Sequence, residues 1–162
     1  MNFKVGDTVV YPRHGACTVQ EVRKRVFKGE ERDFLVLTVN SGGMQIEVPS
    51  GNVEYVGIRE VTSDAELESV FDVLRSPYIE EPTNWSRRFK ANQEKLASGD
   101  VMKIAEVVRD LFRRNEEKSL SAGEKNMLLK AIGSLKSEVA LTKSTDEESA
   151  EALIREVLES AS

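Results

Sequence analysis

The pattern of apolar and polar positions along this chain changes period near residue 60. Up to that point, four short runs, "DTVVYP", "GACTVQEVRKRVF", "RDFLVLTVN" and "MQIEVP", are rich in Val, Ile, Thr and aromatic residues. Turn-forming stretches separate them at Pro12 to Gly15, Lys28-Gly29, Asn40 to Gly43 and Pro49 to Asn52. β-branched runs punctuated this way predict strands. Four or five of them at this spacing predict a small SH3- or Tudor-type barrel. A module of this size has a thin core of its own.

From Ser63 onward the apolar spacing is helical. "SDAE" is a capping-box pattern, in which Ser63 and Glu66 satisfy each other's free amides, and Leu67, Val70, Phe71 and Leu74 then share a face until Pro77. A second helix begins near Thr83 or Asn84 and stops at Gly99. Asp100 caps a third, striped by Ile104, Val107, Val108, Leu111 and Phe112. "SAGE", Ser121 to Glu124, opens a fourth through Met127, Leu128, Ala131, Ile132 and Leu135. "STDEE", Ser144 to Glu148, opens a fifth with Ala152, Leu153, Val157 and Leu158. Short connections between helices predict a compact bundle. The expected architecture is α+β in two domains: a β-module over 1–58, a linker over 59–62 and an all-α bundle of about five helices over 63–162. With no heptad seam, a monomer is expected, although a barrel edge is open to a partner strand.

Composition adds little to this picture until charge is located. The chain has 162 residues, 40% hydrophobic and 31% charged, and no stretch of about 20 apolar residues that a membrane span requires. The start, "MNFKVGDTVVYP", lacks a signal-peptide pattern, and the lone Cys17 suits a reducing compartment, so a cytoplasmic protein is expected. The net charge of −5 argues against nucleic acid, but its distribution does not. Residues 1–60 are net neutral, 61–84 net −5, 85–130 net +4 and 131–162 net −4. A local basic segment in an acidic chain is compatible either with a solvated helix face or with a weak nucleic-acid contact.

Catalytic chemistry is poorly supplied. His14 and Cys17 are the sole residues of their kinds, and they form a conceivable nucleophile pair in "PRHGAC" with no third group to orient it. Read more simply, His14 is a turn residue and Cys17 a small apolar strand residue. A lone His and a lone Cys cannot close a metal site, and no phosphate-binding loop is present. No enzyme activity, cofactor, metal or small-molecule substrate is expected.

The stretch "EEPTNWSRRFKAN" carries the one tryptophan. Trp85 has acid before it at Glu80 and Glu81 and base after it at Arg87, Arg88 and Lys90. Phe89 lies four residues on, so both rings can share a face and pack inward. Alternatively, a Trp at the first turn of a helix reaches past the bundle edge. There, ringed by cations, it is laid out as an apolar wedge for a DNA minor groove. Arg113, Arg114 and Lys118, then Lys125 and Lys130, extend the candidate phosphate surface. Nothing reads as a recognition helix, so little direct base readout is expected. The two readings differ in a cheap observable, because an exposed Trp emits at longer wavelength and is readily quenched.

"FKVGDTVVYPRHG", "EEPTNWSRRFKAN", "LASGDVMKIAEVVRDLFRR" and "LSAGEK" together resemble the CarD family of bacterial transcription regulators (CarD and CdnL), over essentially the full length and most closely the actinobacterial members. The resemblance implies an N-terminal module like that of transcription-repair coupling factors, docking on the RNA polymerase β subunit. It implies a helical domain at promoter DNA on the upstream edge of the transcription bubble. The matching tryptophan, Trp85, is then a minor-groove wedge that stabilises the open complex, with ribosomal RNA promoters among the targets and no sequence-specific operator. Arg87, Lys90 and Lys125 match the family's DNA-contacting positions, and Arg25 matches a basic residue used against polymerase. At Glu47, where the actinobacterial pattern generally has a second basic contact, the sign is reversed, and Arg23, Lys24 and Arg32 are the neighbours that could supply the charge instead. A pure interaction adaptor, with Trp85 in the core, is the alternative from another functional class.

Overall fold

A computed structural model describes residues 3–11, 14–40, 42–77 and 84–161. Pro12, Ser41, Thr83 and the acidic pair Glu80 and Glu81 lie outside the described residues. The chain divides into two compact units, Met1–Val61 and Thr62–Ser162.

The first unit is an antiparallel sheet of five strands: β1 (Thr8–Tyr11), β2 (Gly15–Phe27), β3 (Glu30–Val39), β4 (Gln45–Pro49) and β5 (Arg59–Glu60), in the order β4-β3-β2-β1-β5. All four runs read from the sequence are strands. The fifth is too short to leave a pattern, and it corrects the expected linker: Arg59 and Glu60 pair with Val10 and Val9 of β1. Lys28 and Gly29 close the β2–β3 hairpin with both φ angles positive, 52° and 79°. Such a turn matches the right-handed twist of the strands it joins, and glycine takes it without steric cost. A register shift between Val19 and Glu21 bends β2. The curled sheet wraps Val9, Cys17, Val19, Leu35, Leu37, Val39, Val48, Val53 and Ile58.

The second unit has five helices: α1 (Asp64–Arg75), α2 (Trp85–Ala97), α3 (Val101–Glu117), α4 (Ala122–Lys143) and α5 (Glu147–Ser160). The capping box at Ser63 and Glu66 is formed in both directions, and α1 buries Leu67, Val70, Phe71 and Leu74 as its spacing requires. Asn84 caps α2 and Asp100 caps α3. The α4–α5 junction differs from expectation. Ser144 does not open α5 but ends α4, in the left-handed region at φ 52°, and Asp146 is the cap. "STDEE" offers three capping side chains in a row, Ser144, Thr145 and Asp146, and the one that caps is the last before the helix, accepting from the Ser149 amide at 2.6 Å. The buried face of α5 shifts with it, to Ala150, Ile154, Val157 and Leu158, leaving Ala152 exposed. In the packing, α1 lies against α3 and α5, α3 and α5 against α4, and α2 against α3 and α4.

A candidate nucleic-acid interface and an ionic face on the sheet

The helical site forms where the first turn of α2 meets the start of α4. Trp85 is the first residue of α2, and its ring stacks on Phe89, centroids 4.9 Å apart and planes 12° from parallel. The two rings thus share a face, but Trp85 is not core: it remains 44% exposed. Its Nε1–H donates to Oε1 of Glu124 at 3.1 Å. Glu124 is 3% exposed, in the first turn of α4, with its amide bonded to the Ser121 cap at 3.2 Å. Arg88 Nε donates to Glu124 Oε2 at 3.5 Å, and Arg114 Nε lies 3.9 Å from the same oxygen. Burial pushes the Glu124 carboxyl up, but hydrogen bonds from Trp85 and Ser121 and the charge of Arg88 outweigh it, so the group sits below its ordinary range. It is ionised at neutral pH.

The cations named from the sequence therefore separate into two sets. Arg88 and Arg114, both mostly buried, are turned toward Glu124 inside the protein. Arg113 is turned inward as well. Its side chain is 11% exposed, and the guanidinium donates to the carbonyls of Leu74, Ser76 and Leu158 at 2.9, 3.4 and 3.2 Å. Arg87, Lys90, Lys118, Lys125 and Lys130 are exposed. Glu124 itself was visible in the sequence as a capping residue of "SAGE", but nothing in the spacing showed that its carboxylate would receive an indole 39 residues away.

On the sheet unit, Glu47 receives hydrogen bonds at one oxygen from both Arg23 (2.7 Å) and Arg25 (2.8 Å), and Arg23 also pairs with Glu21 (3.1 Å). The hydrogen bond from Arg23 is the main influence holding the Glu21 carboxyl below its ordinary range. Glu21, Arg23 and Arg25 alternate onto one face of β2, and Glu47 stands across β3, so the ionic cluster lies over Val36, which is 2% exposed. Lys24 falls on the opposite face, paired across the ladder with Asp33, so it cannot join this cluster. Cys17 and His14 form no nucleophilic centre. Cys17 is fully buried, with burial pushing its thiol up, and His14 packs edge-on against Tyr11 at 5.0 Å. Among the described residues, no group of three or more His, Cys, Asp and Glu could hold a metal, and no helix is long and apolar enough to cross a membrane.

The helical unit thus presents a half-exposed, buttressed tryptophan, with exposed cations on the same helices. Comparison with known proteins gives the family. Residues 3–62 match the family described as "CarD-like/TRCF RID domain", and residues 69–155 match "CarD, C-terminal domain". The chain is 32% identical over 145 residues to the "Putative transcription factor YdeB" of Bacillus subtilis (strain 168), an alignment spanning 90% of this chain and 95% of that protein. Two solved N-terminal domains from Myxococcus xanthus are similar in sequence. That of CarD is 32% identical over 36% of this chain and 79% of its own, with a TM-score of 0.32. That of CdnL is 36% identical over 40% and 90%, with a TM-score of 0.34. This chain belongs to the CarD family.

Proposed function

We propose that this CarD-family protein binds RNA polymerase, at the β subunit, through its sheet unit and uses its helical unit on promoter double-stranded DNA at the upstream edge of the bubble, where Trp85 wedges into the minor groove and holds the open complex. The observation that carries this reading is the half-exposed Trp85 ring, stacked on Phe89 and hydrogen-bonded to Glu124, with exposed Arg87 and Lys90 on the same helix and exposed Lys125 next to Glu124 on α4. An apolar ring can lean on unstacked bases while neighbouring cations hold phosphates. Lys130, exposed five residues further along α4 and about 140° round the helix from Lys125, is a further cation in reach of a DNA backbone that wraps this helix. The net charge of −5 is no obstacle, because a protein tethered to polymerase meets DNA at high effective concentration and needs little affinity of its own. A wedge favouring the unpaired junction by about 1.4 kcal/mol shifts the open–closed equilibrium tenfold.

The test is open-complex lifetime at a ribosomal RNA promoter with the cognate polymerase. Wild type lengthens the lifetime, and Trp85→Ala shortens it by about tenfold toward the value without the protein, while polymerase binding and helical content stay unchanged. Equal lifetimes for the two proteins would sink the wedge.

The sheet's ionic face sets a second expectation. Glu47 neutralises two arginines that would otherwise face a partner. Glu47→Arg frees both and adds a third cation, at little cost in stability because exposed pairs contribute about 0–1 kcal/mol. It is expected to improve binding to a polymerase whose own partner protein carries Arg at this position, by about tenfold in Kd. An unchanged Kd would show that this face does not dock.

A further inference from the structure

The Trp85 ring is anchored from a different helix, and that anchorage has a use only if ring orientation matters. A tryptophan at the first residue of a helix has no preceding turn to pack against and would sample several rotamers. Here three contacts oppose that freedom. Phe89 stacks under the ring at 4.9 Å, and Phe89 is itself seated against Gly123, where an added Cβ would lie 3.4 Å from its ring edge. Glu124 takes the indole N–H. Arg88 and Arg114 then neutralise and hold the carboxylate that does so.

We infer that Glu124 is a positioning residue for Trp85, and that with Phe89 packed on Gly123 it forms a mount fixing the plane of the exposed indole before any ligand arrives. The inference rests on the wedge reading of Trp85 and deepens it. A fixed ring loses little side-chain freedom on insertion, so the mount raises the effect of the wedge without adding a contact to DNA. It also decides what the ring can recognise. Indole has one hydrogen-bond donor and no acceptor, and the donor is occupied by Glu124. What remains outward is hydrocarbon and π surface, which suits stacking against any base and carries no base identity.

Because Trp85 is the only tryptophan, its emission reports on this site alone. Time-resolved fluorescence anisotropy compares wild type, Glu124→Ala and Glu124→Gln, each first shown by circular dichroism to keep its helical content. In wild type the indole is expected to tumble with the protein. Glu124→Ala is expected to add a fast local motion and to shorten the open-complex lifetime by about fivefold. Glu124→Gln, which keeps an oxygen acceptor, is expected to restore both. An indole that stays rigid in Glu124→Ala, or one that becomes mobile while the lifetime is unchanged and Trp85→Ala still shortens it, overturns the proposal. If Trp85→Ala leaves the lifetime unchanged, the wedge reading fails, and with it the role assigned to the mount. Should Glu124→Ala not fold, solvent exchange of the single wild-type indole N–H decides. Exchange at least about tenfold slower than in a free indole supports the anchored donor, and equal exchange overturns it.

Discussion

Arg113→Ala is expected to destabilise the helical unit by about 3 kcal/mol: hydrogen bonds to charged groups contribute about 1.5–3 kcal/mol each, and of the three this guanidinium makes, those at 3.2 and 3.4 Å are long and count for little beside the one at 2.9 Å. The carbonyls it serves belong to the last turn of α1, its cap and the last turn of α5: Leu74, Ser76 and Leu158. Helix C-termini carry unsatisfied carbonyls and partial negative charge, and a cation there answers both. The planar fork of Arg reaches three acceptors at once, whereas Lys presents a single point charge. Arg113→Lys should therefore recover only part of the loss. Urea unfolding followed by helical ellipticity measures this. Loss of less than about 1 kcal/mol in Arg113→Ala would mean that water replaces the guanidinium at these carbonyls. A separate DNA titration tests the proposed contact: Arg113 lies outside the proposed contact set, so folded Arg113→Lys is expected to match wild type in affinity and in salt dependence.

Glu138→Ala is expected to cost about 2 kcal/mol, through groups left buried and unsatisfied rather than through the lost carboxylate itself. Thr62 is 4% exposed and immediately precedes the cap of α1. Its amide donates to Glu138 Oε1 at 3.0 Å, its hydroxyl donates to the same oxygen, and its carbonyl accepts from Thr142 Oγ1 at 2.7 Å. α4 therefore holds every polar group of the residue that launches α1. Removing Glu138 strands an N–H and an O–H in a place water does not reach. Glu138→Gln keeps an acceptor and should recover at least half of the loss. Melting curves read at the helical signal distinguish this from simple packing once Glu138→Met is added: Met fills similar volume without an acceptor, so packing alone would make it match Gln, whereas the stranded N–H and O–H make it nearly as costly as Ala.

The charge pattern led furthest astray at the cations. Residues 85–130 are net +4, but that sum does not say which cations face water. Arg88, Arg113 and Arg114 look like phosphate ligands in one dimension and are internal bonds in three. The exposed set, Arg87, Lys90, Lys118, Lys125 and Lys130, is what the proposed interface has to work with. Likewise, alternation along β2 could have separated Lys24 from Arg23 and Arg25, but only the pairing of β3 and β4 shows Glu47 within reach of both arginines.

Local rules were enough to specify the elements themselves. Period-2 and period-3.6 runs of apolar residues, with Ser63, Asn84, Asp100 and Ser121 as side-chain caps and Lys28-Gly29 as a hairpin turn, depend on neighbours within a few residues, and the sequence contains those neighbours. Tertiary structure decided the rest, because it turns on pairings between residues far apart along the chain. It placed the two-residue strand β5 on β1, chose Asp146 over Ser144 as the cap of α5, and brought Glu124 under Trp85 across 39 positions. A short strand has no stabilising pattern of its own, and a buried carboxylate chooses its partners by what packing delivers to it. Whether Trp85 lay in the core or stood out as a wedge was open for the same reason, and the closing of α2 on α4 left its ring half outside.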